Sequence, residues 1–311
     1  MSMLTIEKLT ADDGVLKVHG RSFYWASLFL PSRARKLAAA LYAFCRWVDD
    51  AVDEASSEEE ALRNVEELEK LLQGEEADRT SFRDLFFVLR EFGLGMAPAQ
   101  ELILGVKSDL QKVTVTDEEE LLLYCYRVAG TVGLMMCPVL DVRANVAWRY
   151  AIDLGIAMQL TNISRDVLED ANRDRTYIPQ SWFNHAVGPN DIIHNEMVRG
   201  EIPPRVNKAL ALADTHYESA ISGMVYIPWR ARLAICIALT LYREIGVKIR
   251  RQWGGNSLLG RMYVTPFQKT VCLFKGFSIF FLTLLRAKPG NKEIVLMKHA
   301  SLRMLPGVNE L

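Results

Sequence analysis

An all-α architecture in one large domain is what this sequence predicts, on three observations. Apolar residues recur at helical spacing through most of the chain. Alternating strand-like runs bounded by turn residues are scarce. The 311 residues are 50% hydrophobic and no low-complexity stretch or fixed-period repeat divides them.

The elements follow in chain order. A first helix is expected around Val15 to Leu28, and Pro31-Ser32 marks the turn into a second from Arg33 to Asp53. Ser56 to Glu75 reads as a helix with a solvated face, because Glu58, Glu59, Glu60, Glu66 and Glu67 crowd it. Further helices are expected at Ser81 to Phe92, Pro98 to Lys112, Asp117 to Val139, Val146 to Asn172, Pro204 to Met224, Pro228 to Gln252 and Pro266 to Leu285. Gly254-Gly255-Asn256 and Lys288-Pro289-Gly290 read as loops.

Composition narrows the function classes. Lysine plus arginine (37) nearly balances aspartate plus glutamate (38), so no net field is available to attract nucleic acid, and any charge chemistry must be local. Cys45, Cys125, Cys137, Cys236 and Cys272 are odd in number and scattered, with no C-x-x-C pair, and read as reduced core residues. The first thirteen residues contain Glu7, Asp12 and Asp13 and lack a basic-then-apolar leader, from which a cytoplasmic location is expected. Val271 to Leu285 is the most membrane-like run, but it falls short of the ~20 apolar residues a span requires. It reads as a core helix, with a membrane-dipping segment as the alternative.

Two acidic stripes carry the chemistry. Tyr42, Arg46, Asp49 and Asp53 lie at spacings of four, three and four, on one face of their helix, with Asp50 beside them. The flanking Leu41, Ala43, Phe44, Trp47 and Val48 turn that face inward, where carboxylates need a partner. Gln159, Asn162, Asp166 and Asp170 repeat the design at spacings of three, four and four, flanked by Ile156, Ala157, Leu160, Ile163 and Val167. One stripe alone would read as a solvated acidic face. Two, facing each other, make a cleft walled by hard oxygen ligands with no thiolate or imidazole, which suits magnesium better than zinc and suggests a metal-bridged diphosphate. A calcium loop is disfavoured because the ligands sit on helices and the D-x-[DN]-x-[DN]-G pattern is absent.

HGRSFYWAS (19–27), LYAFCRWVDDAVDE (41–54), YCYRVAGTVG (124–133), and QLTNISRDVLED (159–170) followed by RTYIP (175–179) resemble the head-to-head trans-prenyltransferases, the squalene, dehydrosqualene and phytoene synthases. The resemblance runs from about residue 15 to about residue 285. It implies a helical isoprenoid-synthase bundle with a central cavity, divided as an N-terminal segment 1–14, a catalytic domain 15–287 and a C-terminal tail 288–311. By this resemblance Asp49, Asp53, Asn162, Asp166 and Asp170 are the metal ligands, with Asp50 secondary. His19, Gly20, Arg21, Ser22, Tyr42 and Arg46 hold one diphosphate; Gln159, Arg165 and Tyr242 match positions around the other substrate or the leaving group. Tyr124 and Tyr242 are expected to bind substrate, with a second reading as core tyrosines with satisfied hydroxyls. Val128, Ala129, Gly130, Val132, Gly133 and Leu134 would line the prenyl tunnel, although the two glycines equally allow close helix packing. Phe23, Tyr24 and Trp25 would shield a carbocation through their π faces or serve as core.

The implied reaction joins two prenyl diphosphates through a cyclopropylcarbinyl diphosphate. The YCYRVAGTVGLMM, RDVLEDANRDRTYIP and GRMYVTPFQK runs look most like bacterial phytoene synthases, so two geranylgeranyl diphosphates giving phytoene is the expected reaction. The alternative is two farnesyl diphosphates giving presqualene diphosphate, dehydrosqualene or squalene; a non-enzymatic helical scaffold is the rival from another class. The expected cofactor is magnesium, with manganese as substitute and NADPH only for a squalene product. Partners are prenyl diphosphates, with peripheral membrane contact left open and no expectation for oligomeric state.

Overall fold

The computed structural model describes residues 26–73, 82–110, 113–285 and 300–308, and these are helical almost throughout. Helix α1 (Ser32–Asp53) begins after Pro31 and buries Leu41, Phe44 and Val48 in the bundle. α2 (Glu58–Gln73) starts two residues later than its expected Ser56 because Ser57 is spent on the cap, its Oγ accepting from Glu60 N at 3.2 Å. Its inner stripe is Ala61, Val65, Leu68 and Leu72, and Glu58, Glu59, Glu66 and Glu67 are exposed as expected. α3 (Arg83–Glu91) sends Phe86 against Phe44, with Phe82 completing an edge-to-face aromatic cluster.

α4 (Ala97–Lys107) ends five residues before the expected Lys112, and a 3-10 turn, Ser108–Leu110, follows. The expected helix Asp117 to Val139 runs without a break from Glu118 but widens midway: α5 (Glu118–Cys125), a π-helical turn Tyr126–Gly130, and α6 (Thr131–Val139). Asp117 caps α5 by accepting from Glu120 N at 2.9 Å. α7 (Trp148–Ala171) is kinked at Asp166, whose backbone is non-helical (φ −103°, ψ 15°). Strands β1 (Val113–Thr114) and β2 (Arg175–Thr176) form a two-residue parallel pair that pattern reading cannot see at that length.

The expected start at Pro204 is overturned. α8 (Pro189–His194) precedes α9 (Glu196–Gly223), which is capped by Asn195 and runs straight through Pro203 and Pro204. The two prolines remove two N–H donors and their rings press on the carbonyls of Arg199 and Gly200 one turn back, yet the helix continues through them. α9 lies along α7, and across their buried seam Asp153 Oδ1 meets His216 Nδ1 at 2.6 Å while the Ser219 hydroxyl donates to Asp153. α10 (Trp229–Trp253) ends in left-handed Gly254, φ 61°.

α11 (Pro266–Leu284) runs antiparallel to α10. Thr240 donates to Cys272 O at 2.9 Å, Arg232 to Thr283 O at 3.4 Å, and Lys275 pairs with Glu244 at 2.7 Å. The core-helix reading of Val271 to Leu285 does not hold: Cys272, Gly276, Phe280 and Thr283 are buried, whereas Phe274, Phe281, Leu282 and Leu284 are exposed. By length and composition alone the whole helix could cross a membrane, so the shortness argued from its second half does not apply to it. Near the end of the chain, Leu302 and Val308 are buried and Tyr126 donates to Pro306 O at 2.8 Å.

Candidate active site

α1, the α4–α5 connection, α5, α7 and the β2 segment enclose a polar cleft of about 300 Å³. Asp49 and Asp53 form one wall; Gln159, Asn162, Arg165, Asp166 and Asp170 form the other; Tyr124 and Val128 close the side. The structure thus brings together residues separated by more than a hundred positions. Tyr42, Arg46 and Tyr242 stand outside this lining, and burial pushes the Tyr42 phenol up to about 12, Arg46 opposing the rise and Tyr242 adding to it. His19, Gly20, Arg21, Ser22, Phe23, Tyr24 and Trp25 lie outside the described residues.

Each wall carries carboxylates in two conditions. Asp53 accepts from Arg175 at 3.1 Å and Arg173 at 3.3 Å, and Asp166 accepts Arg165 Nε at 2.7 Å with Arg261 Nε 3.5 Å away. Asp49 and Asp170, by contrast, receive no hydrogen bond or ion pair among the described residues. Burial, opposed by Arg46 and reinforced by Asp53, pushes the Asp49 carboxyl up to about 7. Burial and the neighbouring Asp166 push Asp170 up to about 8. Arg46 forms its ion pair with Asp50, four residues on, and acts on Asp49 only through the field.

Sequence reasoning missed a second layer. Tyr124 and Tyr177 stack at 4.5 Å and each donates to Asp109, at 2.9 and 2.8 Å. The satisfied hydroxyl fits the core reading of Tyr124, yet the side chain also lines the cleft. Burial raises the Asp109 carboxyl, Arg175 working against it. Asp109 sits on an irregular turn after α4 and Arg175 on a two-residue strand, so neither belongs to a periodic stripe. Left-handed Asp174 (φ 57°) ends the turn after α7 and aims Arg175 back at Asp53. The RTYIP run, quoted above only for its resemblance, was the available signal.

The tunnel residues divide. Val128, Ala129, Val132 and Gly133 are half-buried, whereas Gly130 and Leu134 are fully buried against other parts of the core, so the last two do not line an open path. A Cβ on Gly130 would meet Ile152 at 3.2 Å, and one on Gly133 would sit 2.1 Å from Ala151 O, so the packing role of both glycines holds. Leu134 meets Gly307 instead. Val128 faces the acidic cleft, while Gly133 and Met136, with Ala151 and Leu154 of α7, line a separate apolar cavity of about 70 Å³. The same two helical segments therefore present oxygen ligands at one end and hydrocarbon at the other.

A divalent cation fits this donor set. Asn162 Oδ1 is buried without a partner, and two carboxylates lack any donor. Among the described residues no three acidic, histidine or cysteine side chains converge to cage a metal unaided. Magnesium commonly accepts such an arrangement, taking one or two carboxylates and completing its shell with substrate phosphates.

Residues 16–268 match the family model described as squalene/phytoene synthase. The chain is 32% identical over 289 residues to the 15-cis-phytoene synthase of Pantoea ananas, covering 88% of this chain and 92% of that protein. It is 35% identical over 268 residues to the phytoene synthase of Thermus thermophilus, covering 85% and 90%. A solved dehydrosqualene synthase in complex with a ligand superposes with a TM-score of 0.70 at 27% identity, over 90% of this chain and 99% of that one. A squalene synthase from Alicyclobacillus acidocaldarius shares the fold, with a TM-score of 0.67 at 24% identity over 80% and 92%.

Proposed function

Because the chain belongs to the squalene/phytoene synthase family of divalent-metal-dependent prenyltransferases, we propose that it condenses two geranylgeranyl diphosphates head to head to phytoene, with magnesium as the metal. The observation that carries the reading is the pair of facing acidic walls, each with one carboxylate already held by arginine and one left free, opening beside an apolar stripe. Residues 15–287 form the catalytic unit in this reading. Its five free cysteines support a cytoplasmic, reducing location.

Asp49, Asp53, Asn162, Asp166 and Asp170 would hold the metal, which supplies Lewis acidity to the departing diphosphate. Arg165 and Arg175 offer planar forks to phosphate oxygens, and both already lie within the cleft. Tyr124, fixed by Asp109, stands where the polar cleft meets Val128. The half-buried Val128 and Val132 keep water from a carbocation formed at the cleft floor. Ionisation of one substrate releases its diphosphate and lets the double bond of the other attack; loss of a proton then closes the ring of the cyclopropylcarbinyl diphosphate, and departure of the second diphosphate, rearrangement and loss of a second proton lead to the hydrocarbon without a reductant.

The choice of a C20 substrate rests on relatives named phytoene synthases at 32% to 35% identity. Purified protein with magnesium should convert geranylgeranyl diphosphate to a C40 hydrocarbon without NADPH, identified by mass spectrometry. Turnover of farnesyl diphosphate alone would replace the substrate and keep the reaction class. Absence of product and of pyrophosphate release from either substrate would favour the scaffold.

A further inference from the structure

On the reading that this chain makes a hydrocarbon, its product has lost both diphosphates, while the cleft that admits them is walled by aspartate and arginine. Drawing a long apolar chain back through that cleft would strip water from charged groups. The structure offers a second direction. Val128, Val132 and Met136 are half-buried at four-residue steps along the π-helical turn and α6, and Met158, Leu154 and Ala151 are half-buried along α7. These rows lead from the acidic cleft to the apolar cavity of about 70 Å³ at the other end of the two helices. The π-helical turn keeps the first row aligned. A strict four-residue repeat drifts round an α-helix of 3.6 residues per turn, and the wider turn takes back part of that drift.

Leu140 closes the far end of the cavity. It is 6% exposed, follows directly on α6, and also lines an open groove of about 660 Å³ on the outside of the bundle. The same two segments wall both spaces: the end of α6 with the turn after it, residues 137–143, and the bend that starts α10, residues 227–231. Phe87, Phe92 and Trp229 give the groove an apolar side, Phe87 and Trp229 being 56% and 61% exposed. Two of its arginines lie over those rings, Arg143 over Phe92 at 5.5 Å and Arg230 over Trp229 at 5.2 Å. The partition stands where the backbone is least tied. Pro138 removes a donor from the last turn of α6, and Asp141, just beyond Leu140, is left-handed at φ 56°. A helix end short of hydrogen bonds opens locally at lower cost than a core segment.

We propose that the hydrocarbon leaves by this far end, past Leu140 into the outer groove, while diphosphate enters and pyrophosphate departs through the acidic cleft. Leu140→Trp should retain the rate of a first turnover, measured by rapid quench with enzyme in excess, yet lower steady-state kcat roughly tenfold after a pyrophosphate burst of one turnover. Rapid gel filtration should then find hydrocarbon co-eluting with the variant. Phe87→Glu, at the exposed mouth, should slow release severalfold with the first turnover and circular dichroism unchanged, since hydrocarbon must pass a charge while the fold loses little buried contact. That variant keeps the test in force if Leu140→Trp does not fold. Wild-type steady-state rates in both variants overturn the exit, because the product then leaves elsewhere. A first turnover slowed as much as the steady state also overturns it, because Leu140 then only shapes the site of the substrate chain. A C30 product from farnesyl diphosphate serves the test as well as a C40 one, whereas a wild type that makes no hydrocarbon removes the reading on which the exit rests.

Discussion

The two acidic walls were written in the same spacing and folded into different devices. On α1 the helix stays regular, Arg46 turns to Asp50, and the exposed Asp53 is met by Arg173 and Arg175 from the other side of the cleft. On α7 the helix kinks at Asp166, Arg165 clasps that same residue, and Asp170 one turn on is left alone. Each wall ends with one carboxylate neutralised in advance and one that a cation would claim. Two residues of one type at equivalent positions can therefore differ in what their loss does to the protein, because stability follows the partner and not the spacing.

The largest expected effect is on catalysis, where the distinction should vanish. Asp49→Asn and Asp166→Asn should each lower kcat by about a hundredfold or more while the helical circular dichroism signal is retained, since each removes charge from the metal site. Near-wild-type turnover of both at saturating magnesium would remove the metal assignment.

Metal-free stability should separate the pairs. Asp170→Asn deletes a carboxylate whose ionised form burial opposes, so its melting temperature at pH 8 should equal or exceed that of wild type. Asp166→Asn strips a hydrogen-bonded partner from Arg165, only 13% exposed, and should cost about 1–3 kcal/mol. Thermal melts without divalent cation decide it; the same change in both variants would show that the two carboxylates are not in different conditions.

The pH profile of wild type tests the same point. Asp49 and Asp170 have folded-state values of about 7 and 8, above the usual carboxylate range near ~4, so their protonated forms favour the fold. That contribution is fully present below pH ~4 and is lost as pH rises through 7 to 8, so metal-free protein should melt several degrees lower at pH 8 than at pH 5. Added magnesium should flatten the fall by stabilising the charged forms. A metal-free melting temperature that instead rises across this range would contradict the assignment.

Smaller effects should come from the residues behind the walls. Asp109→Asn leaves the stacked Tyr124 and Tyr177 in place but weakens their hydrogen bonds, and should lower kcat about tenfold with little change in melting temperature. Arg46→Lys replaces a planar fork by a point charge and should cost severalfold in kcat or KM. Steady-state kinetics check both, and an Asp109→Asn variant as inactive as Asp49→Asn would move Asp109 from the supporting layer to the metal site.

The legible part of the site was what helical periodicity carries. Asp49 and Asp53, or Asn162, Asp166 and Asp170, share a face because 3.6 residues make a turn, and their apolar neighbours orient that face before any tertiary contact exists. Asp109, Arg175 and Tyr177 were not legible in this way, because they sit on a 3-10 turn and a two-residue strand paired across the cleft. The start of α9 was misplaced because Pro204 reads as a helix start, whereas Asn195 caps the helix well before it and the helix runs on through both prolines.

By itself the sequence determined that the chain is a helical bundle, which helix faces turn inward, and that two acidic stripes repeat one helical spacing. Those are consequences of local periodicity and side-chain type. Tertiary structure alone decided which arginine answers which aspartate, that Gly130 and Leu134 pack in the core while Val128 faces the cleft, and that α11 keeps a bare apolar side. Electrostatic partnership and burial depend on distances between segments far apart in the chain, and such distances exist only once the helices have packed.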